Sequence, residues 1–140
     1  MVGLSQQVKI IQSDSGVESL TFSVDAEPDN SKVTQQIREY LAGYRQNFNV
    51  KLNPKGTPFQ LNVWRALQTI SFGQTATYQD IANKIGQPKA VRAVANAIGA
   101  NPIAIIIPCH RVIRSDRSLG GYKWGVELKK RLLKLESLTC

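Results

Sequence analysis

The chain has 140 residues, 42% of them hydrophobic, with two cysteines, one histidine and a net charge of +8. That length suits one domain, or one domain with a small attachment, and the apolar fraction is enough for a real core. Two cysteines, one of them the terminal Cys140, make no disulfide framework, and residues 1–7 hold no basic run followed by a long apolar one. No signal peptide or membrane span is therefore expected, and a reducing, cytoplasmic setting is (nuclear in a eukaryote).

The charge is uneven. Residues 1–54 carry five Lys/Arg against six Asp/Glu, and residues 55–140 carry thirteen against four. A basic second part suits a polyanion, nucleic acid being the commonest, although solubilising surface charge would give the same composition. In chain order, residues 7–11 read as a short strand, residues 13–16 as a turn, and Leu20, Phe22 and Val24 alternate as in a half-buried strand. Residues 27–31 break the chain and offer N-caps. Val33, Ile37, Tyr40, Leu41 and Tyr44 then follow at helical spacing, and Phe48, Val50 and Leu52 alternate again. The first part is thus a small sheet with one helix, and nothing in it resembles a site. Asn53-Pro54-Lys55-Gly56 marks a boundary, which divides the chain into residues 1–54 and 55–140.

Thr57-Pro58-Phe59-Gln60 is a helix start, with a Thr cap, Pro at the first position and Gln three after the cap. Phe59, Val63, Leu67 and Ile70 form its buried stripe, with Trp64 beside it. Thr77 and Asp80 are spaced as a second capping box, and Ile81, Ala82 and Ile85 are the apolar positions of that helix. After the turn Gly86-Gln87-Pro88 a third helix runs over residues 89–98, with Gly99 as its stop. Two short helices around a tight turn read as a helix-turn-helix, or as an ordinary helical hairpin packed on both faces. Val91, Val94 and Ile98 make the third helix's core stripe. Ala90, Ala93, Asn96 and Ala97 lie mostly opposite, with Arg92 the lone charge. So bare a face suits close approach to a narrow groove, with one Arg probing inside. The fold expected is α/β (α+β): a small sheet-plus-helix unit, then a mainly helical part with a helix-turn-helix.

Residues 103–107 are Ile-Ala-Ile-Ile-Ile and lead into Pro108-Cys109-His110-Arg111-Val112. A soft nucleophile thus sits beside the one histidine behind an apolar run. An apolar setting raises a thiol's pKa, so a reactive Cys109 needs a base nearby. A buried small hydrophobe beside a satisfied histidine is the alternative. The following Val112-Ile113-Arg114, a polar turn and Leu119-Gly120-Gly121-Tyr122 suggest a short hairpin or a glycine-bearing loop. The last helix carries Leu128, Leu132 and Leu135 on one face, with Glu127 and Arg131 spaced to pair. Glu136, near its C-terminus, is poorly placed for the helix dipole; it is either a solvated end residue or the partner of a group such as a histidine.

Asn101-Pro102 followed by Ile107-Pro108-Cys109-His110-Arg111-Val112 resembles the active-site signature of the O6-alkylguanine-DNA alkyltransferases. The likeness extends over residues 57–136 and takes in Thr77-Tyr78, the run from Pro88 to Val94, Gly121-Tyr122 and the closing helix to Glu136. It implies a single-turnover DNA-repair protein with no cofactor. Cys109 would accept the alkyl group from O6 of a damaged guanine in duplex DNA, with O4 of thymine left open. His110 would take the thiol proton through a water, and Glu136 would orient His110. Asn101 would hold the active-site turn. Arg92 would fill the gap left by a flipped nucleotide, and Tyr78 would crowd its phosphate and help the guanine depart. Backbone groups around Val112 and Lys123, with Tyr122, would line the pocket, with Lys129 in support near Tyr78. Thr77, Gln79, Ala90, Ala93, Asn96 and Arg111 would share the DNA side with Arg92.

Some relatives hold zinc in the N-terminal part. This chain has no cysteine there and its one histidine is taken, so no such site is expected. Trp124 stands where many members have a small glycine, which predicts a narrower pocket that is slow with bulky adducts. A monomer is the default. Two rivals remain. A non-enzymatic lesion sensor or helix-turn-helix regulator explains the charge but leaves Cys109-His110 without purpose. A cysteine hydrolase built on Cys109, His110 and Glu136 would need turnover and an oxyanion hole.

Overall fold

The computed structural model describes residues 8–23 and 31–139. Strands β1 (Val8–Ser13) and β2 (Gly16–Phe22) form an antiparallel hairpin whose register shifts between Ile11 and Gln12. That shift puts Val17 and Leu20 of β2 into the core, while Phe22 is half-buried. Gln7 and Val24 lie outside the described residues, as does Cys140. Helix α1 (Lys32–Leu41) starts at Ser31, whose hydroxyl accepts from the Thr34 amide, and buries Val33, Ile37, Tyr40 and Leu41. Tyr44, expected on the same stripe, is 86% exposed because the helix has ended before it.

The third alternating run forms no strand. Phe48, Val50 and Leu52 are half-buried, and Leu52 makes only a single bridge to Val17. The exposed edge of β2 is instead shared by two passing segments. Val17 N donates to Lys51 O at 2.8 Å and Asn53 N to Val17 O at 2.7 Å. Further along, Leu20 N donates to Pro102 O at 2.8 Å and Ala104 N to Leu20 O at 2.9 Å. Backbone groups left open at a strand edge must find partners, and here they tie the first part to the segment that precedes Cys109.

Helix α2 (Pro58–Leu67) begins at the expected capping box of Thr57 and Gln60 and buries Val63, Trp64, Ala66 and Leu67. Its Trp64 Nε1 donates to Ala97 O at 2.8 Å, which docks α2 on α4 (Val91–Gly99). Helix α3 (Tyr78–Lys84) opens at the Thr77–Asp80 capping box, and α3 and α4 form the helix-turn-helix. Gly99 keeps an ordinary φ as the last helical residue, so the stop is not a left-handed glycine. Strands β3 (Ala76–Thr77) and β4 (Val112–Ile113) pair in parallel, and residues 114–122 form no further strand and run as a glycine-bearing loop rather than a hairpin. Helix α5 (Val126–Thr139) buries Leu132 and half-buries Leu128 and Leu135. Glu127 meets Lys130 at 3.8 Å rather than the expected Arg131. One hydrophobic core takes residues from β1, β2 and every helix, in the mixed α/β class expected. No helix among the described residues is long and apolar enough to cross a membrane.

Candidate active site

Residues 103–107 are almost wholly buried without forming a helix or a strand. Asn101 braces them from inside: its Nδ2 donates to Ile107 O at 2.8 Å, and its Oδ1 accepts from Ile103 N at 3.0 Å. Within the brace Ile105 has φ 70°, a left-handed conformation that a β-branched residue adopts only under constraint, at a cost of roughly 1–3 kcal/mol. The tight turn delivers the chain into a 3-10 turn, Cys109–Arg111, whose three side chains are all buried. Thiol and imidazole are therefore held on a short, buried element that follows a strained turn at Ile105.

Glu136 reaches that element from α5. Its Oε2 lies 2.6 Å from His110 Nε2 and 3.0 Å from an Arg111 terminal nitrogen, and its Oε1 lies 2.8 Å from Arg111 Nε. Tyr40 of α1 donates its hydroxyl to the same Oε2 at 2.6 Å. Burial alone would raise the Glu136 carboxyl, but the hydrogen bonds from His110 and Arg111 outweigh it and hold it at about 2. An ionised carboxylate can only accept, so His110 carries its proton on Nε2 and presents a basic Nδ1. That Nδ1 has no hydrogen-bond partner among the described residues. Burial holds His110 below the usual imidazole range, against the pull of Glu136. It also pushes the Cys109 thiol up, against the nearby Asn101 amide and the Lys129 charge. At neutral pH the resting pair is thus a neutral thiol beside a neutral imidazole, with a fixed anion behind it.

In front of Cys109 lies a cavity of about 680 Å³. Tyr78 from the start of α3, Arg92 and Asn96 from α4, and Arg114, Tyr122 and Lys123 from the following loop surround it. Arg92, Asn96, Arg114 and Lys123 are exposed, so a thiol at the bottom faces cations at the mouth. The approach of the loop to Tyr78 needs a glycine. Gly120 sits at φ +72°, and a Cβ there would stand 2.9 Å from the Tyr78 hydroxyl. Lys129 of α5 fixes the loop from below, donating to the carbonyls of Val112, Leu119 and Gly121 at 2.6, 2.5 and 3.1 Å. Burial lowers its ammonium to about 8, against the pull of Cys109.

Residues 58–138 match the family model described as the 6-O-methylguanine DNA methyltransferase DNA-binding domain. That span is more than half of the chain and contains every residue of the array except Tyr40. The chain belongs to this family. It is 49% identical over 128 residues to the methylated-DNA–protein-cysteine methyltransferase of Methanosarcina acetivorans, covering 91% of this chain and 78% of that protein. It is 47% identical over 126 residues to the bifunctional transcriptional activator/DNA repair enzyme Ada of Escherichia coli, covering 88% of this chain but only 36% of Ada. The chain thus spans about a third of the length of that relative. The crystal structure of Mycobacterium tuberculosis OGT in complex with DNA superposes with a TM-score of 0.83 at 39% identity, over 95% of this chain and 94% of that one.

Several expectations for a methyltransferase of this family need correction. Arg111, expected on the DNA side, is buried; Glu136 and the Ile70 carbonyl, 2.6 Å from its other terminal nitrogen, occupy its guanidinium. Val112 does not line the cavity, because its carbonyl faces Lys129. Trp124 does not line it either: its ring packs edge-on against Phe22 at 5.8 Å and Tyr122 at 5.4 Å, behind the wall. Ala97 is buried under Trp64 rather than opposite the core, whereas Ala93 and Asn96 are exposed and Ala90 is half-buried. The Thr77 hydroxyl caps α3, and Gln79 Nε2 donates to Asn83 Oδ1 and Pro88 O. Sequence reasoning missed Tyr40 and Arg114. Only the need of a buried phenol for a partner hinted at Tyr40, and only its place just after Pro-Cys-His-Arg at Arg114. Among the described residues no cluster of three or more His, Cys, Asp or Glu could hold a metal ion.

Proposed function

We propose that this protein repairs duplex DNA directly, by a single irreversible transfer of an alkyl group from O6 of guanine to Cys109. One observation carries the reading: the only histidine, fixed by a buried carboxylate, adjoins a buried thiol that opens on a cation-rimmed cavity beside a helix-turn-helix. The name of the relatives, methylated-DNA–protein-cysteine methyltransferase, supports a transfer of methyl from DNA to a protein cysteine. The alkylated oxygen of a stacked base is out of reach of such a thiol, so the nucleotide must leave the helix. Flipping costs a few kcal/mol and least for a base that pairs badly. Arg92 stands on the exposed helix face at the mouth, suited to fill the vacated place.

In the transfer the Cys109 sulfur bonds to the alkyl carbon and the O6–carbon bond breaks. The electron pair goes to guanine, and Tyr78 hydrogen-bonds or protonates the departing base. The thiol proton passes to His110 Nδ1 through a water, since adjacent side chains rarely face each other, and Glu136 stabilises the imidazolium. A positioned base of this kind is worth roughly 10²–10⁴ in rate. The product is a thioether, which nothing nearby can hydrolyse, so each molecule acts once. Residues 55–140 carry the chemistry as one unit and residues 1–54 support it as a small second one. The protein works as a monomer where the DNA is, in the cytoplasm, or in the nucleus of a eukaryote.

The test is to incubate the protein with a duplex containing one O6-methylguanine and measure intact and peptide masses. One methyl on the Cys109 peptide, stopping at one per protein, is the expected result. A bound duplex with no mass gain would make the protein a lesion sensor and Cys109 a structural thiol.

A further inference from the structure

The Glu136 carboxylate receives more donors than anchoring requires. Arg111 alone grips both of its oxygens, at 2.8 and 3.0 Å, and Gly73 N approaches Oε1 at 3.5 Å. Yet Tyr40, from an element 96 residues away in sequence, adds a 2.6 Å bond to Oε2, the oxygen that His110 uses. The phenol is fully buried, and its ring already packs against Phe48 and Phe72, so the hydroxyl is not needed to seat the side chain. Donors on one oxygen compete: each draws on the same negative charge and weakens what remains for the others.

We propose that Tyr40 is a positioning residue of the transfer site, whose hydroxyl limits the hold of Glu136 on a protonated His110 and so keeps that histidine neutral and ready to accept the thiol proton. The other charged and titratable groups facing the couple are Arg111 and Cys109 on the 3-10 turn, Lys129 on α5 and Tyr122 on the loop before it. Arg111 and Lys129 act in the same direction as Tyr40, disfavouring a second positive charge. Tyr40 differs from them in reaching the couple from the first part of the chain. Burial, then the charge of Glu136, keep its phenol un-ionised, so it stays a donor throughout the working range.

The inference rests on the transfer reading, and Tyr40→Phe tests it. His110 is the only histidine, so NMR reads its titration directly in the full chain. The expected result is a His110 midpoint about 0.5–1 pH unit higher in Tyr40→Phe than in the parent, since one donor no longer competes for Oε2. The acid limb of the transfer rate moves up with it, and the plateau rate rises about two- to fivefold as the base strengthens. Phe48→Leu, which alters the packing of Tyr40 but not its hydroxyl, leaves the midpoint in place. A Tyr40→Phe midpoint that is unchanged or lower, or that falls below the acid-unfolding limit in both proteins, overturns the inference, as does an equal shift in Phe48→Leu. If the parent transfers nothing from DNA, the functional reading fails. The NMR midpoint and the pH dependence of Cys109 alkylation by iodoacetamide then still decide the role of Tyr40.

Discussion

At the scale of single residues, the site depends on who faces whom within a few ångströms. Thr57, Thr77 and Ser31 cap helices as local spacing demands, because a cap needs only its own next three residues. Cys109, His110 and Asn101 are equally legible, since their chemistry lies in a short run. Trp124 is the contrary case. Its position suggests a pocket wall, but its ring is turned onto Phe22, a residue about a hundred positions away, and supports Tyr122 from behind. Trp124→Ala is accordingly expected to cost roughly 1–3 kcal/mol of stability. It should change methyl and benzyl transfer by the same factor. Single-turnover rates on both substrates check this, and a large gain for benzyl alone would return Trp124 to the wall.

At the scale of elements, three pieces must be registered to build the cavity: the 3-10 turn, the loop over residues 114–122 and α5. Lys129 does this, with one ammonium holding three carbonyls, that of Val112 in a buried bond and those of Leu119 and Gly121 in part-buried ones. Lys129→Met keeps the stem and removes the donors. It should destabilise the protein by roughly 2–4 kcal/mol and speed amide exchange over residues 112–122. Denaturant unfolding and hydrogen exchange measure the two effects, and a variant as stable as the parent with unchanged exchange would refute them. The expected strand over residues 48–52 fails at this scale too. Its alternation is real, but the edge of β2 is divided between Lys51–Asn53 backbone groups and Pro102–Ala104, so no ladder extends along it. Alternating hydrophobicity reports a half-buried extended segment and not the presence of a partner.

At the scale of the whole molecule, the buried charge array links stability to pH. Glu136 titrates at about 2 in the fold against an ordinary 4.5, so its contribution is complete above pH 4.5 and is lost as pH falls through about 2. His110 is depressed below its ordinary 6.5, so the unfolded chain takes up that proton first and stability declines as pH drops below 6.5. Melting temperature should therefore fall gently below pH 6.5 and steepen below pH 4.5. Glu136→Gln should flatten the second stage relative to the parent, and calorimetry at closely spaced pH values shows whether it does.

The amino-acid sequence by itself determined the capped starts of α1, α2 and α3, the mixed fold class, the basic second part and the Pro-Cys-His-Arg centre, because each follows from near neighbours or from composition; α4, which has no side-chain cap, starts at Val91 rather than at residue 89. The tertiary structure alone decided that Arg111 turns inward rather than towards DNA, that Trp124 stands behind the cavity, and that Tyr40 shares an oxygen with His110. These outcomes depend on which distant side chains the core brings within hydrogen-bond range. A buried guanidinium or carboxylate takes the partner that best offsets its desolvation, wherever in the chain that partner lies.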